Sequence, residues 1–388
     1  MSTITGYRAM SLQSLGDRLD ASAGRPSGFD YMKVSLAVMV IAMHSVLTSY
    51  GQAADAAMWD TPARPFLRSV LPMFFGVSGF LVAASLDRCK TLIKFFGLRA
   101  IRIFPALTVE VLLSAFLIGP MLTTLALSDY FTDKLFFLYL LNAIGEIHYL
   151  LPGMFQDNPK PDIVNAQLWT VPFELYTYGA IGLLAIAGVQ RYRILGPILV
   201  GVLIVFHFVA RLWWHGWQYL PFNGNVPGFA LMISGIVGLS LYYYRYEIPW
   251  RWPVFWGATA VALLGMYSRY GGEYFGALVV PYVAIFLGLT APRRLAIVRD
   301  RDYSYGMYLY GFVIQQTFAA TIPSCRIWWV NILVCVPLAA ILAAMSWHFV
   351  ERPAKQLKSL VESFEKQYLR IMRRTTVVSG SAPVRADA

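Results

Sequence analysis

The chain has 388 residues, of which 57% are hydrophobic and only 14% are charged, and its mean hydropathy is +0.55. A soluble domain has about 25% charged residues, so the composition excludes an ordinary soluble protein and predicts an all-α, polytopic membrane protein. The net charge of +11 does not indicate a nucleic-acid partner, because the basic residues are spread over short loops between apolar segments. The spacing of the three cysteines matches no metal-binding pattern.

Apolar stretches of about 20 residues, the length that crosses a bilayer, predict about ten transmembrane helices. They lie near 31–50, 67–86, 103–127, 170–189, 194–212, 227–244, 253–268, 274–290, 304–322 and 327–348. A further apolar stretch, 135–151, is short and contains Asn142, Glu146 and His148. We expect it to be a re-entrant or interfacial segment, because a true crossing there would reverse the orientation of everything that follows.

The distribution of basic residues predicts the orientation. If the N-terminus is cytoplasmic, only seven of the 32 Lys and Arg residues fall on the outer side. These are Arg64, Arg68, Lys134, Lys160, Arg211, Arg269 and Arg326. Cytoplasmic loops carry the excess of Lys and Arg in membrane proteins, so we expect both termini to be cytoplasmic.

The composition divides the chain into four parts. Residues 1–28 are polar, lack the long apolar core of a cleaved signal peptide and form a cytoplasmic segment. Residues 29–353 form the membrane domain. Residues 354–374 have the pattern of a basic amphipathic helix on the cytoplasmic leaflet, with a solvated helical tail as the alternative, and 375–388 have the composition of a disordered tail. No internal repeat is visible.

The first apolar stretch contains two ionisable residues, Lys33 and His44. Eleven residues at roughly 100° each bring His44 back to the helix face of Lys33, about 16 Å further along the axis. Ionisable groups inside a membrane usually face a cavity or a partner and mark function. Histidine can move a proton near neutral pH, and the alternative is a hydrogen bond between helices.

Two patterns follow on the predicted cytoplasmic half. Arg99 and Arg102 lie on one helix face, and the guanidinium group suits phosphates; plain anchoring of the helix is the alternative. Ser78 lies beside Gly76 and Gly79 in the second stretch. Small residues let a ligand or another backbone approach, so this segment either admits a ligand or packs against a helix.

Three more patterns contain polar and aromatic residues near helix ends. Glu174 and Tyr178 are one turn apart at the outer end of the fourth stretch, where the carboxylate either faces a cavity or reaches the membrane surface. Trp169 precedes them. The tyrosines around Tyr305 indicate a polar path or an aromatic belt, and Glu351-Arg-Pro is typical of a structural clasp at a helix end.

Taken in order, these segments resemble the membrane acyltransferase-3 family, whose members transfer acyl groups to surface glycans. The matching segments are Asp30-Tyr-Met-Lys33 with His44, Phe74-Phe75-Gly-Val-Ser78-Gly79-Phe80, Arg99-Ala-Ile-Arg102-Ile-Phe-Pro105, Leu168-Trp169-Thr-Val-Pro-Phe-Glu174, Ser304-Tyr305-Gly-Met-Tyr308-Leu309 and Glu351-Arg352-Pro353. The chain departs from the family pattern at Lys33, where the family has arginine, and at Gly311, where it often has histidine.

The resemblance implies an enzyme of the inner membrane that transfers an acyl group, with acetyl expected, from cytoplasmic acetyl-CoA to a sugar hydroxyl. The acceptor would be an exopolysaccharide, an O-antigen or a lipid-linked glycan. No bound cofactor or metal is expected. Besides the bilayer, acyl-CoA and glycan, polysaccharide-assembly proteins are expected partners. A proton-coupled transporter or flippase of a small or lipid-linked solute is the alternative.

The implied roles of the residues fall into three groups. His44 would act as general base or form an acyl-imidazole, and Glu174 would orient the imidazole or the acceptor. The donor would be bound by Lys33, Arg99, Arg102, Ser78 and Gly79. The acceptor would be bound by Trp169, Tyr178 and Tyr305. In the transporter alternative, His44 and Glu174 would relay protons.

Overall fold

A computed structural model describes residues 13–215, 226–268, 271–295 and 301–379 of the chain. Within these ranges the protein is helical and contains no β-strand. Two isolated β-bridges pair Ser14 with Pro249 and Leu150 with Ile163. The α-helices are α1 Leu15–Ala21, α2 Gly28–Trp59, α3 Arg64–Asp87, α4 Leu92–Leu113, α5 Gly119–Leu122, α6 Leu127–Thr132, α7 Lys134–Leu140, α8 Val171–Ile186, α9 Leu195–His215, α10 Gly228–Tyr243, α11 Trp252–Tyr267, α12 Gly272–Gly288, α13 Ser304–Thr321, α14 Trp328–Ser346, α15 Arg352–Ala354 and α16 Lys358–Ser379.

Each of the ten predicted spans overlaps a helical stretch of the structure. Within the described residues, five helical stretches are long and apolar enough to cross a membrane. They are Gly28–Trp59, Arg64–Asp87, Leu92–Leu122, Leu195–Trp213 and Trp328–Ile371. The protein is therefore a helical, multi-pass membrane protein. The number of crossings and the side of each terminus stay predictions.

The segment predicted to be re-entrant or interfacial contains α7 and a 3-10 helix, Leu141–Ile144. Gly145 ends this helix in the left-handed conformation, with φ 88°. Seven α-helical residues extend only about 10 Å, which is too short to cross about 30 Å of hydrocarbon. Whether the segment is re-entrant or interfacial stays a prediction.

Glycine residues determine two features of the bundle. Gly51 interrupts α2 with φ 81°, where a Cβ would lie 2.6 Å from the carbonyl oxygen of Pro159. The interruption falls where the first predicted span ends. On α3, a Cβ at Gly79 would lie 1.9 Å from the carbonyl oxygen of Gly235, and one at Gly76 would lie 2.6 Å from Pro281. These small residues let α3 pack closely against α10 and α12.

The C-terminal helix α16 packs against the beginning of α4. Lys94 Nζ lies 3.3 Å from Glu362 Oε1 and 3.6 Å from Glu365 Oε2, and Thr91 Oγ1 donates to Glu365 Oε1 at 2.9 Å. The exposed side of α16 includes Leu360 and Phe364, as in the predicted amphipathic helix; its contact with the leaflet stays a prediction.

The predicted terminal segments are described only in part. Helix α1 lies in the N-terminal segment, and residues 1–12 lie outside the described residues. Helix α16 continues to Ser379, past the predicted boundary at 374. The rest of the predicted disordered tail, 380–388, lies outside the described residues, so its disorder stays a prediction.

Candidate active site

A cavity of about 770 Å³ lies where α3 ends and α4 begins, and we call it the basic cavity. Its lining contains the carboxylates of Asp302 and Glu351 and the basic side chains of Arg25, Arg88, Lys94, Arg99, Arg102, Lys355 and Lys358. This excess of positive charge suits a ligand that carries several phosphates. We refer to this side of the bundle as the basic end and to the opposite side as the distal end.

The predicted arginine pair lies at the inner part of this cavity. The Nη2 atom of Arg99 donates to Ser85 Oγ at 3.1 Å, and the guanidinium lies 5.8 Å from the ring centroid of Tyr178. The buried Nε atom of Arg99 has no hydrogen-bond partner among the described residues. The hydrogen bond to Ser85 orients the guanidinium group, and its Nε–H group stays available as a hydrogen-bond donor.

Lys33 is paired with Asp302, 269 residues later in the chain. The Nζ atom lies 2.6 Å from Oδ2, and Ser304 Oγ donates to Oδ1 at 2.5 Å. Burial alone raises the pKa of Asp302, but the charges of Lys33 and then Arg102 outweigh it and lower the pKa well below its usual range. The predicted role of Lys33 in donor binding stays a prediction, and the structure adds a partner for its charge.

A second, narrow cavity of about 80 Å³, the inner cavity, adjoins the basic cavity. Both cavities are lined by Arg102 and Tyr305. One face of α3 forms a wall of the inner cavity, because Leu71, Phe74, Phe75, Ser78 and Leu81 recur at helical spacing. The predicted site residues that line it are Lys33, Ser78, Arg102, Glu174, Tyr178 and Tyr305.

The carboxylate of Glu174 points along the helix to Tyr178, as the spacing predicts. The Tyr178 hydroxyl donates a short hydrogen bond to Glu174 Oε1. Tyr305 lies at the junction of the cavities and donates to the carbonyl oxygen of Ile103 at 3.1 Å. The inner cavity therefore has an apolar wall from α3 and a polar side where an acid and a phenol are held together.

Tyr308 lies at the distal part of the inner cavity. Its hydroxyl donates to the carbonyl oxygen of Gln167 at 2.6 Å and shares a hydrogen bond of 2.5 Å with Thr170 Oγ1. Its ring lies 6.3 Å from that of Phe74. These contacts connect α13 to the 3-10 helix Ala166–Thr170, which leads into α8.

His44, on α2, packs against α13 at Phe312, one helical turn beyond Tyr308. Its ring packs edge-on against Phe312, with centroids 5.1 Å apart, and it is partly exposed. The ring nitrogens have no hydrogen-bond partner among the described residues. His44 is not among the lining residues of the basic or the inner cavity. The structure therefore keeps its imidazole free but does not bring it into contact with Glu174.

Two other predicted residues lie outside both cavities. Trp169 lines a groove of about 370 Å³ at the distal end, the distal groove, together with Tyr149, Lys160, Ile163, Ala166, Val226 and Pro227. Gly79 faces the backbone of α10 at Gly235, so helix packing accounts for its small size. Its predicted role in donor binding stays a prediction.

Sequence reasoning missed some members of the site. Asp302 has no role in the sequence prediction, and Tyr308 is predicted only as one of the tyrosines of a polar path or an aromatic belt. Glu110, fully buried in α4, was missed entirely, although a carboxylate inside an apolar stretch is itself a signal. Among the described residues, no group of three or more His, Cys, Asp or Glu side chains is arranged to hold a metal.

The fold and the site define a multi-pass membrane protein with a basic cavity next to a narrow inner cavity. Residues 27–348 match the family model described as acyltransferase domain, known as acyltransferase-3, and the chain belongs to this family. The resemblance predicted from the motifs is confirmed.

Two curated relatives match most of the chain. Nodulation protein 10 of Rhizobium leguminosarum bv. viciae is 25% identical over 369 residues, which cover 89% of this chain and 97% of the relative. The O-acetyl transferase of Shigella phage Sf6 is 26% identical over 343 residues, covering 84% and 94% respectively. No solved structure matches the chain.

Proposed function

We propose that this protein transfers an acyl group, acetyl in the first instance, from acyl-CoA to a sugar hydroxyl of an exopolysaccharide, an O-antigen or a lipid-linked glycan. The observation that carries the proposal is that the two cavities adjoin, since Arg102 and Tyr305 line both of them. A basic chamber suits the phosphates of a nucleotide, and a narrow passage beyond it suits an unbranched thioester arm.

The donor would enter from the basic end, which we take to face the cytoplasm. Arg99 and Arg102 would bind its phosphates, since charge-assisted hydrogen bonds to guanidinium groups are strong. The arm would extend along the α3 wall past Ser78 and bring the thioester toward Glu174 and Tyr178.

The acceptor would approach from the distal end, where Trp169 offers an aromatic face. In the reaction, the sugar oxygen attacks the thioester carbon while His44 takes the hydroxyl proton. The carbon–sulfur bond then breaks, and the imidazolium returns the proton to the leaving thiolate. In the covalent variant, an imidazole nitrogen attacks the thioester carbon, the carbon–sulfur bond breaks, and the leaving thiolate takes the imidazole proton. The sugar oxygen then attacks the acyl carbon, the carbon–nitrogen bond breaks, and the hydroxyl proton passes to the imidazole.

This geometry requires His44 to reach the thioester, although the ring now lies beyond Tyr308. Glu174, held by Tyr178, would orient the acceptor hydroxyl. A protein so placed in a bacterial inner membrane would act beside the proteins that assemble the polysaccharide.

Purified protein with labelled acetyl-CoA and a glycan acceptor tests the proposal. We expect the wild type to label the glycan and His44→Ala to abolish labelling while the protein still inserts. His148→Ala is the matched control, because His148 is partly exposed and pairs with Glu146 at 3.2 Å, away from both cavities. Activity retained by His44→Ala would remove the imidazole from the mechanism.

The same preparation of purified protein distinguishes acyl transfer from the transporter alternative. Glu174 in a membrane cavity would also suit a proton relay. Movement of a solute across sealed vesicles without acyl-CoA, together with no labelled glycan, would favour that alternative.

A further inference from the structure

The 3-10 helix Ala166–Thr170 separates two cavities. Ala166 and Trp169 line the distal groove, and Thr170 lines the inner cavity. This five-residue helix therefore lies between the distal groove and the inner cavity, which adjoins the basic cavity. We propose that this helix is the partition between the acceptor and donor sides, and that Tyr308 and Glu110 are positioning residues that keep it closed to water. This inference rests on the proposed acyl transfer.

Tyr308 holds the partition from the α13 side. Its hydroxyl bonds to the Gln167 carbonyl at 2.6 Å and to Thr170 Oγ1 at 2.5 Å, so one phenol engages both halves of the 3-10 helix. A short 3-10 helix has few internal hydrogen bonds of good geometry. Its position therefore depends on side chains that reach it from neighbouring helices.

Glu110 holds the same element from the α4 side through a buried chain of hydrogen bonds. Its Oε1 atom accepts from Ser114 Oγ at 2.6 Å and, in a short bond, from Asn165 Nδ2. Asn165 Oδ1 accepts from Gln167 Nε2 at 2.9 Å, and the same nitrogen donates to the Leu309 carbonyl at 2.7 Å. The network connects α4, the partition and α13.

Burying this polar network costs free energy, which supports a role for it beyond helix packing. Glu110, Asn165 and Gln167 are at most 1% exposed. Glu110 Oε2 and Gln167 Oε1 have no hydrogen-bond partner among the described residues. Buried polar groups fix a geometry well only when they are bonded, and unbonded atoms are costly. An apolar contact would hold two helices at lower cost, so the polar network indicates that the exact placement of the partition is needed.

A partition is required because a thioester in the inner cavity must meet a sugar hydroxyl and not water. If water reaches it, the water oxygen attacks the acyl carbon, the carbon–sulfur bond breaks, and free acid and thiol are released. Exclusion of water from a reactive intermediate is a known function of closed sites. Loosening the partition should therefore raise hydrolysis relative to transfer.

Tyr308→Phe tests this inference, because it removes the hydroxyl and keeps the ring. The substitution removes both of the hydroxyl's hydrogen bonds to the partition. We expect the ratio of acetyl-CoA hydrolysis to glycan transfer to rise by at least about fivefold, the factor that corresponds to one hydrogen bond. Tyr130→Phe is the matched control, since Tyr130 is also fully buried and its hydroxyl donates to the Ala115 carbonyl at 2.8 Å. Its ratio should equal that of the wild type.

Glu110 provides a second test. Glu110→Gln can keep a carbonyl acceptor for Asn165 and should leave the ratio near the wild-type value, whereas Glu110→Ala should raise it with the apparent KM for acetyl-CoA unchanged. If Tyr308→Phe does not fold, Thr170→Val removes one of the same hydrogen bonds. The inference is overturned, and the proposed function is not, if the folded variants still transfer the acyl group with the wild-type ratio of hydrolysis to transfer. The variants that decide this are Tyr308→Phe (or Thr170→Val) and Glu110→Ala. If the wild type transfers nothing, the proposed function fails and the inference falls with it.

Discussion

The ion pair between Lys33 and Asp302 illustrates how charge is accommodated near the junction of the two cavities. The side chains are 13% and 30% exposed, respectively, so each charge depends on the other for part of its stabilisation. The pKa of Asp302 is lowered from 3.8. Its stabilising contribution is therefore present above pH of about 3.8 and is lost only as the pH falls through the lower folded value. The pair should persist at neutral pH.

Lys33→Met should destabilise the protein by about 1–3 kcal/mol, because it leaves the Asp302 carboxylate half-buried without its main partner. Replacing both residues, with Lys33→Met and Asp302→Leu, should recover part of the loss. Thermal unfolding in detergent measures both effects. Arg193→Met is the control: Arg193 and Glu247 are each 49% exposed, and such pairs contribute about 0–1 kcal/mol. Equal losses for the two single variants would contradict this account of the pair.

Helix α3 has two roles: one of its faces lines the inner cavity, and another packs against neighbouring helices. The stripe with Leu71, Phe74 and Ser78 lines the inner cavity, and the stripe with Gly76 and Gly79 packs against other helices. The sequence left two explanations open for the small residues on this helix. Contacts in the structure assign close packing to the glycines and a cavity position to the serine.

Gly79→Ala should therefore destabilise the bundle, by about 1–3 kcal/mol or more, because the added methyl group meets the Gly235 carbonyl oxygen and forces α3 and α10 apart. Gly179→Ala on α8 should be neutral or stabilising by up to about 1 kcal/mol, since nothing lies within 4 Å of a Cβ there. Thermal unfolding of both variants distinguishes the cases. An unchanged melting temperature for Gly79→Ala would show that close packing does not explain the glycine.

Some features of the molecule could be predicted from the sequence and others could not. The helices follow from the length of apolar stretches, and the pairing of Glu174 with Tyr178 follows from one helical turn, because both patterns are local. The partner of Lys33 could not be predicted, since Asp302 is distant in the chain and only tertiary packing brings it near. The position of His44 beyond Tyr308 likewise depends on how α2 and α13 pack.

At the scale of the whole molecule, the charge distribution predicts that the basic end faces the cytoplasm. In a cysteine-free background, Gln356→Cys and Gln156→Cys place one exposed thiol at each end. A membrane-impermeant maleimide should label Gln156→Cys in sealed cells, and Gln356→Cys only after permeabilisation. The reverse pattern would mean that the basic cavity faces the outside.

In the proposed mechanism, a donor on one side of the membrane acylates an acceptor on the other. Sealed proteoliposomes containing the protein, with labelled acetyl-CoA added at the basic end and the glycan confined to the distal side, test it directly. We predict label on the confined glycan for the wild type and none for His44→Ala. Transfer that occurs only when donor and acceptor share one compartment, or no transfer at all, would contradict the claim.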